Sequence, residues 1–241
     1  MVTGATSGLG RACAVRLASE GATVGVLGRD SVRCNGIVKE IEGLGGEALG
    51  IVADLRETAA ADEAVATLLE RYGRLDGAVN GAGVSPAARA LGDVTNDVWD
   101  HTVDVDLSAV FRCLRAQTRP MAEAGMGSIV NVASYAATTV QITGIAPYAA
   151  AKWGVIGLTK AAARDVARSG VRINAVAPGH VRTPMIDRGL VNGGEERLRQ
   201  RIPLGRIAEP EEMAAVVAFM LSDEAAFITG QTLVADGGLS I

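Results

Sequence analysis

Tyr148 and Lys152 stand four residues apart in the run Tyr148-Ala149-Ala150-Ala151-Lys152. The run has strong helix propensity, so a phenol and an ammonium share one helix face. A free tyrosine titrates at about 10 and is a poor proton donor or acceptor at neutral pH. A cation held beside a phenol favours its ionised form and brings it toward general acid/base use, each unit requiring roughly 1.4 kcal/mol of differential stabilisation. Lysine also breaks the habit of this chain, which has three lysines against twenty arginines. The pair points to proton transfer, and its context decides against chance on an ordinary helix.

The elements that must position the pair follow an alternating pattern. Thr3-Gly4-Ala5-Thr6-Ser7-Gly8-Leu9-Gly10 is a glycine-rich turn feeding a helix whose Leu9, Cys13 and Leu17 repeat at helical spacing and which stops at Gly21. Backbone amides at such a helix start form an anion site, and glycines allow a pyrophosphate to approach. The apolar strand 22–27 comes next and completes a βαβ setting. Only Met1 and Val2 precede the motif, where a central strand is expected, so that strand is stunted or the chain lacks its natural start. Further on, helix 31–43, strand 47–52, helix 57–72, strand 75–79, a long helix 97–124, strand 128–133, the Tyr148 helix, strand 171–177, helix 210–221 and strand 232–235 are expected. This is the pattern of an α/β Rossmann-like doubly wound parallel sheet of about seven strands, with helices on both faces, in a single domain. Ligands bind such sheets at the carboxyl ends of the strands, where Asp54, Asn80 and Ser134 fall. Residues 184–207 break the rhythm with glycines at 189, 193, 194 and 205 around a charged segment, and are expected to form a lid over the cleft. Its Arg197, Arg199 and Arg201 suit either an anionic substrate or, with greater weight, a solvated turn.

Composition excludes several classes. The 241 residues are 49% hydrophobic and 21% charged, with a net charge of -4, which argues against nucleic acid and against an anionic membrane surface. Three cysteines, Cys13, Cys34 and Cys113, lack paired or CxxC spacing and fit a reduced, cytoplasmic setting as buried thiols. His101 and His180 are too few and too far apart for a metal site, and no metal is expected. Residues 124–151 carry no charge, but polar residues interrupt them, so a buried strand running into an uncharged cleft explains them better than a membrane span.

Taken together, the chain closely resembles the short-chain dehydrogenase/reductases over essentially its whole length. The resemblance rests on Thr3-Gly-x-x-x-Gly8-x-Gly10, Asp54, Asn80-x-Ala82-Gly83, Ser134, Tyr148-x-x-x-Lys152, and 174–183 reading Asn-Ala-Val-Ala-Pro-Gly-His-Val-Arg-Thr. It implies that the loop at Gly4, Gly8 and Gly10 holds a pyrophosphate, Asp54 with Leu55 brackets adenine, and Asn80 lies along the adenosine ribose. Val181 and Thr183 would hold the nicotinamide carboxamide, and Lys152 the nicotinamide ribose. Thr6, Ser7, Leu9, Arg29, Ala82, Gly83, Pro178, Gly179 and Tyr148 complete the implied cofactor set. Ser134, Tyr148 and Lys152 would be catalytic, with Asp106 beside them. The implied activity is hydride transfer between a nicotinamide cofactor and a ketone or secondary alcohol, by a homotetramer, and a small or medium, largely uncharged substrate is expected.

Three departures stand out: the stunted first strand, Gly81 where the family has a second asparagine, and Asp106 in Val105-Asp106-Leu107 where the family has the asparagine that holds a water linking lysine to solvent. A carboxylate accepts there but cannot donate. Gly28 and Arg29 close the second strand where an NAD-preferring site has an acidic residue, so NADP(H) is preferred, with NAD(H) as the alternative and Asp30 as a counterweight. The alternatives are a 3-oxoacyl carrier-protein reductase and a non-catalytic NADP-binding regulator. The first is opposed by the absence of Lys and Arg from 120–151, the second by Ser134, Tyr148 and Lys152 all being present. A lyase like the halohydrin dehalogenases is disfavoured by the intact glycine loop and the lysine. For assembly, Ala149, Trp153 and Ile156 are expected to form a second, outward apolar face on the Tyr148 helix.

Overall fold

A computed structural model describes residues 1–139, 142–187 and 194–241. Seven parallel strands form one sheet: β1 (Val2–Thr3), β2 (Val24–Gly28), β3 (Ala48–Val52), β4 (Gly77–Asn80), β5 (Gly127–Val132), β6 (Val171–Pro178) and β7 (Thr232–Ala235). Their order is β3-β2-β1-β4-β5-β6-β7. The order reverses at β1, the switch point where such sheets open a crevice at their carboxyl ends. The strand before the glycine loop is indeed short. Its two residues still pair on both sides, Val2 with Val26 and Val79, Thr3 with Leu27 and Asn80.

Helices cover both faces. Against one pack α1 (Gly8–Ser19), α2 (Ser31–Gly43) and α9 (Pro210–Leu221), around a core that includes Val2, Val26, Val79, Val130, Ile41 and Met220. Against the other lie α3 (Ala60–Tyr72), α5 (Ala109–Ala124) and α6 (Ala146–Val166), enclosing Leu68, Val110, Leu114, Ile129, Val155 and Ile173. Burial on both faces explains why the central strands read as continuous apolar runs rather than alternating ones.

Most expected boundaries hold, and the exceptions have local causes. Helix α3 begins at Ala60 because the preceding chain is folded into turns, with Glu57 N–H donating to Asp54 O and Ala60 N–H to Glu57 O. The long helix is α4 (Asn96–Val103), a π-helical turn at Asp104–Ser108, and α5. A π turn carries one residue too many per turn, and such turns are frequent at functional sites. This one carries Asp106.

In the expected lid, α7 (Pro184–Asp187) and α8 (Gly194–Arg201) are helical; its Gly189 and Gly193 lie outside the described residues. None of Arg197, Arg199 and Arg201 lines the cleft. Arg199 donates to Gly205 O at 3.2 Å.

Candidate active site

The carboxyl ends of the strands open into a cleft of about 520 Å³. At its base the turn between β1 and α1 needs its glycines. Gly4 and Gly8 have φ of 66° and 52°, the left-handed region. A β-carbon on Gly10 would lie 2.3 Å from Gly4 O. Ser7, at the N-cap of α1, makes no side-chain cap bond, so the first amides of the helix are left for an anion. Thr6, Ser7 and Leu9 line the same floor. These features fit a dinucleotide pyrophosphate. Thr3 Oγ1 accepts from the amides of Gly81 and Ala82 at 3.0 and 3.1 Å, tying the loop after β4 to the cradle.

The adenosine end is cationic. Asp54 and Leu55 line the cleft there, with Arg29, Arg33 and Arg56 around them. Asp54 is bound by Arg56, whose hydrogen bond holds the carboxyl down to about 2. A β-carbon at Gly28 would lie 2.5 Å from Thr6 Cγ2, so an acidic residue at that strand end would require Thr6 to shift. Asp30 faces elsewhere: it caps α2, its Oδ1 accepting from Val32 and Arg33 amides at 2.9 and 3.1 Å. Arg33 was not singled out from sequence. Its signal was Asp30, whose preference for an N-cap fixes the phase of α2 and turns Arg33 toward Thr6 O.

Asn80 is a correction. Its side chain is buried and does not line the cleft; Nδ2 donates to Gln117 Oε1 at 3.0 Å and to Asn131 Oδ1 at 2.9 Å, and Oδ1 accepts from Gln117 Nε2. The amide cross-links strands and helix, so the expected ribose contact is not made by its side chain. Ala82 and Gly83, just beyond, do line the cleft.

At the reacting centre the cleft brings together Ser134, Tyr148, Lys152 and Asp106. Ser134 stands two residues beyond β5 in extended conformation, its Oγ accepting from Ala136 N–H at 3.2 Å. Lys152 Nζ lies 5.7 Å from the Tyr148 ring centroid and donates to Val132 O at 3.1 Å. Asp106 is fully buried with Oδ1 3.4 Å from Nζ, so the carboxylate pairs directly with the lysine. That oxygen also accepts from Val84 N–H at 3.0 Å, while Oδ2 is buried and has no partner among the described residues. Burial alone would lower the Lys152 pKa, but Asp106 and then Tyr148 raise it above the ordinary lysine value. Burial pushes the Asp106 carboxyl up, against the pull of Lys152. Gly83 makes room: a β-carbon there would sit 2.7 Å from Asp106 Oδ1.

Pro178, Gly179, Val181 and Thr183 form the wall next to this centre, where the resemblance placed the nicotinamide. Beyond it the chamber is lined by Val84, Ile142, Ile145, Met185 and Ile186, together with Tyr135 and His180. The sequence singled out none of these as chamber residues, and His180 entered only as a poor metal candidate and as part of the 174–183 motif. Among the described residues no group of His, Cys, Asp and Glu could hold a metal. No described helix is long and apolar enough to cross a membrane. All three thiols are free and buried.

Glycine cradle, strand-end serine, tyrosine and lysine define a nicotinamide-dependent oxidoreductase on a Rossmann-like sheet. A family model described as "Enoyl-(Acyl carrier protein) reductase" matches residues 4–240. The 3-oxoacyl-[acyl-carrier-protein] reductase of Thermotoga maritima is 40% identical, the alignment covering 100% of this chain and 97% of that protein. Cyclohexanol dehydrogenase of an Acinetobacter species is 39% identical over 98% and 92% of the two chains. The crystal structure of levodione reductase superposes with a TM-score of 0.96 at 37% identity, covering 99% and 95%. The chain belongs to the short-chain dehydrogenase/reductase family, and it is an oxidoreductase that moves hydride between a nicotinamide cofactor and a ketone or secondary alcohol.

Proposed function

We propose that the protein interconverts compact, largely uncharged ketones and their secondary alcohols using NADP(H), with Tyr148 as general acid/base. One observation carries this: Lys152 is buried beneath the Tyr148 ring and held by Asp106 and Val132 O, at the mouth of an apolar chamber. Nicotinamide, when bound in the cleft, supplies the hydride, which no side chain can. Ser134 and Tyr148 aim hydroxyl donors at a carbonyl oxygen gaining negative charge. Tyr148 delivers its proton to that oxygen, and the charged Lys152 steadies the phenolate left behind. The apolar walls exclude water while this happens.

The carrier-protein reductase is the second reading, supported by the named Thermotoga relative. Against it, residues 120–151 beside the cleft offer no Lys or Arg to an acidic carrier protein. A chemically broad panel of ketones, 3-oxoacyl thioesters and alcohols, assayed with both cofactors, tests the proposal. Turnover confined to carrier-bound thioesters would replace it with the second reading, and cofactor binding without turnover of any carbonyl would favour a regulator.

The NADP(H) preference rests on Arg29 and Arg33 at the adenosine end, with Asp30 engaged as a cap and Asp54 paired to Arg56. A guanidinium paired to a 2'-phosphate contributes a charge-assisted hydrogen bond, so Arg33→Ala should lower kcat/KM with NADPH by about tenfold or more and leave the NADH value nearly unchanged. A parent enzyme that prefers NADH would overturn the assignment.

For the homotetramer the expected helix face needs correction: Ala149 and Ile156 are buried within the chain, and only Trp153 is exposed. Trp153 of α6, Phe111 of α5 and Trp99 of α4 are large exposed apolar groups on one set of helices; Phe219 of α9, on the other face of the sheet, and Phe227, Val234 of β7 and Ile241 are others. Two separate apolar faces suit two kinds of dimer contact, the requirement of a tetramer. Sedimentation at micromolar concentration should give four chains, and a monomer would refute this. Three free buried thiols suit a reducing compartment such as the cytoplasm.

A further inference from the structure

Beside the reacting centre lies a polar pair with no part in proton transfer. Tyr135 directly follows Ser134 and opens the short helical turn Tyr135–Ala137. Its carbonyl accepts from Thr138 and Thr139 amides at 2.9 and 3.0 Å, which fixes the turn and the direction of the ring. His180 follows Gly179 at the end of β6, its carbonyl accepting from Ala208 N–H at 3.0 Å. The neighbouring ends of β5 and β6 thus bring Tyr135 Oη within 3.2 Å of His180 Nε2, with the rings edge to face, centroids 5.3 Å apart.

Both side chains are buried yet line the cleft. Tyr135 packs in a cluster with Ile202, Ile207 and Leu239, with Ile142 and Leu198 against them. Burial raises the phenol to about 12 and lowers the imidazole, so both are neutral at neutral pH. The phenol–imidazole hydrogen bond occupies Tyr135 Oη and His180 Nε2, and two neutral groups bring no charge to a ligand. What it offers is bulk. Tyr148 and Ser134 line the same cleft, so this bulk shares the chamber in which a substrate carbonyl must sit.

We propose that the hydrogen-bonded Tyr135–His180 pair is the specificity-determining wall of the substrate chamber, limiting it to ketones with compact, apolar substituents. The proposal rests on the oxidoreductase reading above and deepens it. Tyr135 is held by its cluster, and His180 is held by Tyr135 at one end and by its backbone at the other. A larger substituent therefore meets a fixed surface, and one or two carbons of misfit in such a pocket separate substrates by about tenfold or more.

The test compares cyclohexanone with cyclododecanone. His180→Ala should shift the kcat/KM ratio toward the large ring by about tenfold or more. The double variant Tyr135→Phe/His180→Leu keeps the volume of both residues and leaves no unpaired hydroxyl, and should retain the parent ratio within about threefold. Calorimetric titration of both ketones into the protein–NADP complex gives a second readout: cyclododecanone binding should be gained only in His180→Ala. If the alanine ratio and binding stay within twofold of the parent, or if the double variant behaves as the alanine variant does, the wall is refuted. Binding selectivity that shifts while neither ketone is turned over would support the wall and count against the ketone reading instead.

Discussion

Tyr148→Phe lowers turnover by about 10²–10⁴-fold, the usual contribution of a positioned proton donor, while cofactor affinity stays within a few fold. The separation follows from where each task is done. The hydroxyl is the only atom removed, and the pyrophosphate cradle at Gly4, Gly8 and Gly10 lies on another element. The ring that faces Lys152 Nζ at 5.7 Å is retained, and Lys152 keeps Asp106 and Val132 O as partners, so the buried ammonium has no reason to move. Urea unfolding should therefore match the parent. Pre-steady-state and steady-state reduction of the best ketone in the panel, with cofactor titrated by fluorescence, checks both halves. A mutant keeping more than about a tenth of parental turnover would remove Tyr148 from its role.

Local patterns were enough to place Ser134, Tyr148 and Lys152 because each sits where chain direction is set by neighbours in sequence: a strand end, and two successive turns of one helix. The glycine cradle was legible for the same reason, since left-handed backbone and close approach are demands on single residues. Asn80 misled because an amide at a strand end can face the cleft or join its neighbours, and the choice belongs to Gln117 and Asn131, which arrive from elsewhere in the chain. Trp153 and its helix face were half right: the apolar periodicity was real, but most of it is consumed inside the chain by the cores around Ala149 and Ile156. Nothing in the sequence marked Tyr135 and His180 as a pair. A tyrosine after a serine and a histidine after Pro-Gly become a pair only when β5 and β6 lie side by side. The π turn was equally invisible, yet it carries the carboxylate that most distinguishes this site.

That carboxylate yields the second large effect. Lys152→Met removes one member of a buried ion pair and leaves Asp106, whose Oδ2 has no partner among the described residues, as an uncompensated group in the interior. Breaking such a pair from one side costs about 3–5 kcal/mol. The double variant Lys152→Met/Asp106→Leu removes both charges and should recover most of that loss, whereas both variants stay inactive. Asp106→Asn has the subtler and more diagnostic outcome. In the parent, Asp106 and Tyr148 raise the Lys152 pKa against the effect of burial. The sign follows from linkage: a raised native lysine adds stability that is whole below its unfolded value of about 10.4 and is lost as pH climbs through the native one. Without the carboxylate charge at 3.4 Å, burial gains the upper hand and the ammonium is lost at lower pH. The alkaline limb of kcat/KM for carbonyl reduction should then move down in Asp106→Asn, with kcat at neutral pH nearly kept because the amide still accepts from Val84 N–H. Coincident limbs in the two proteins would show that Asp106 has no electrostatic hold on the site, and a Lys152→Met protein that unfolds within about 1 kcal/mol of the parent would deny the pair its structural cost as well.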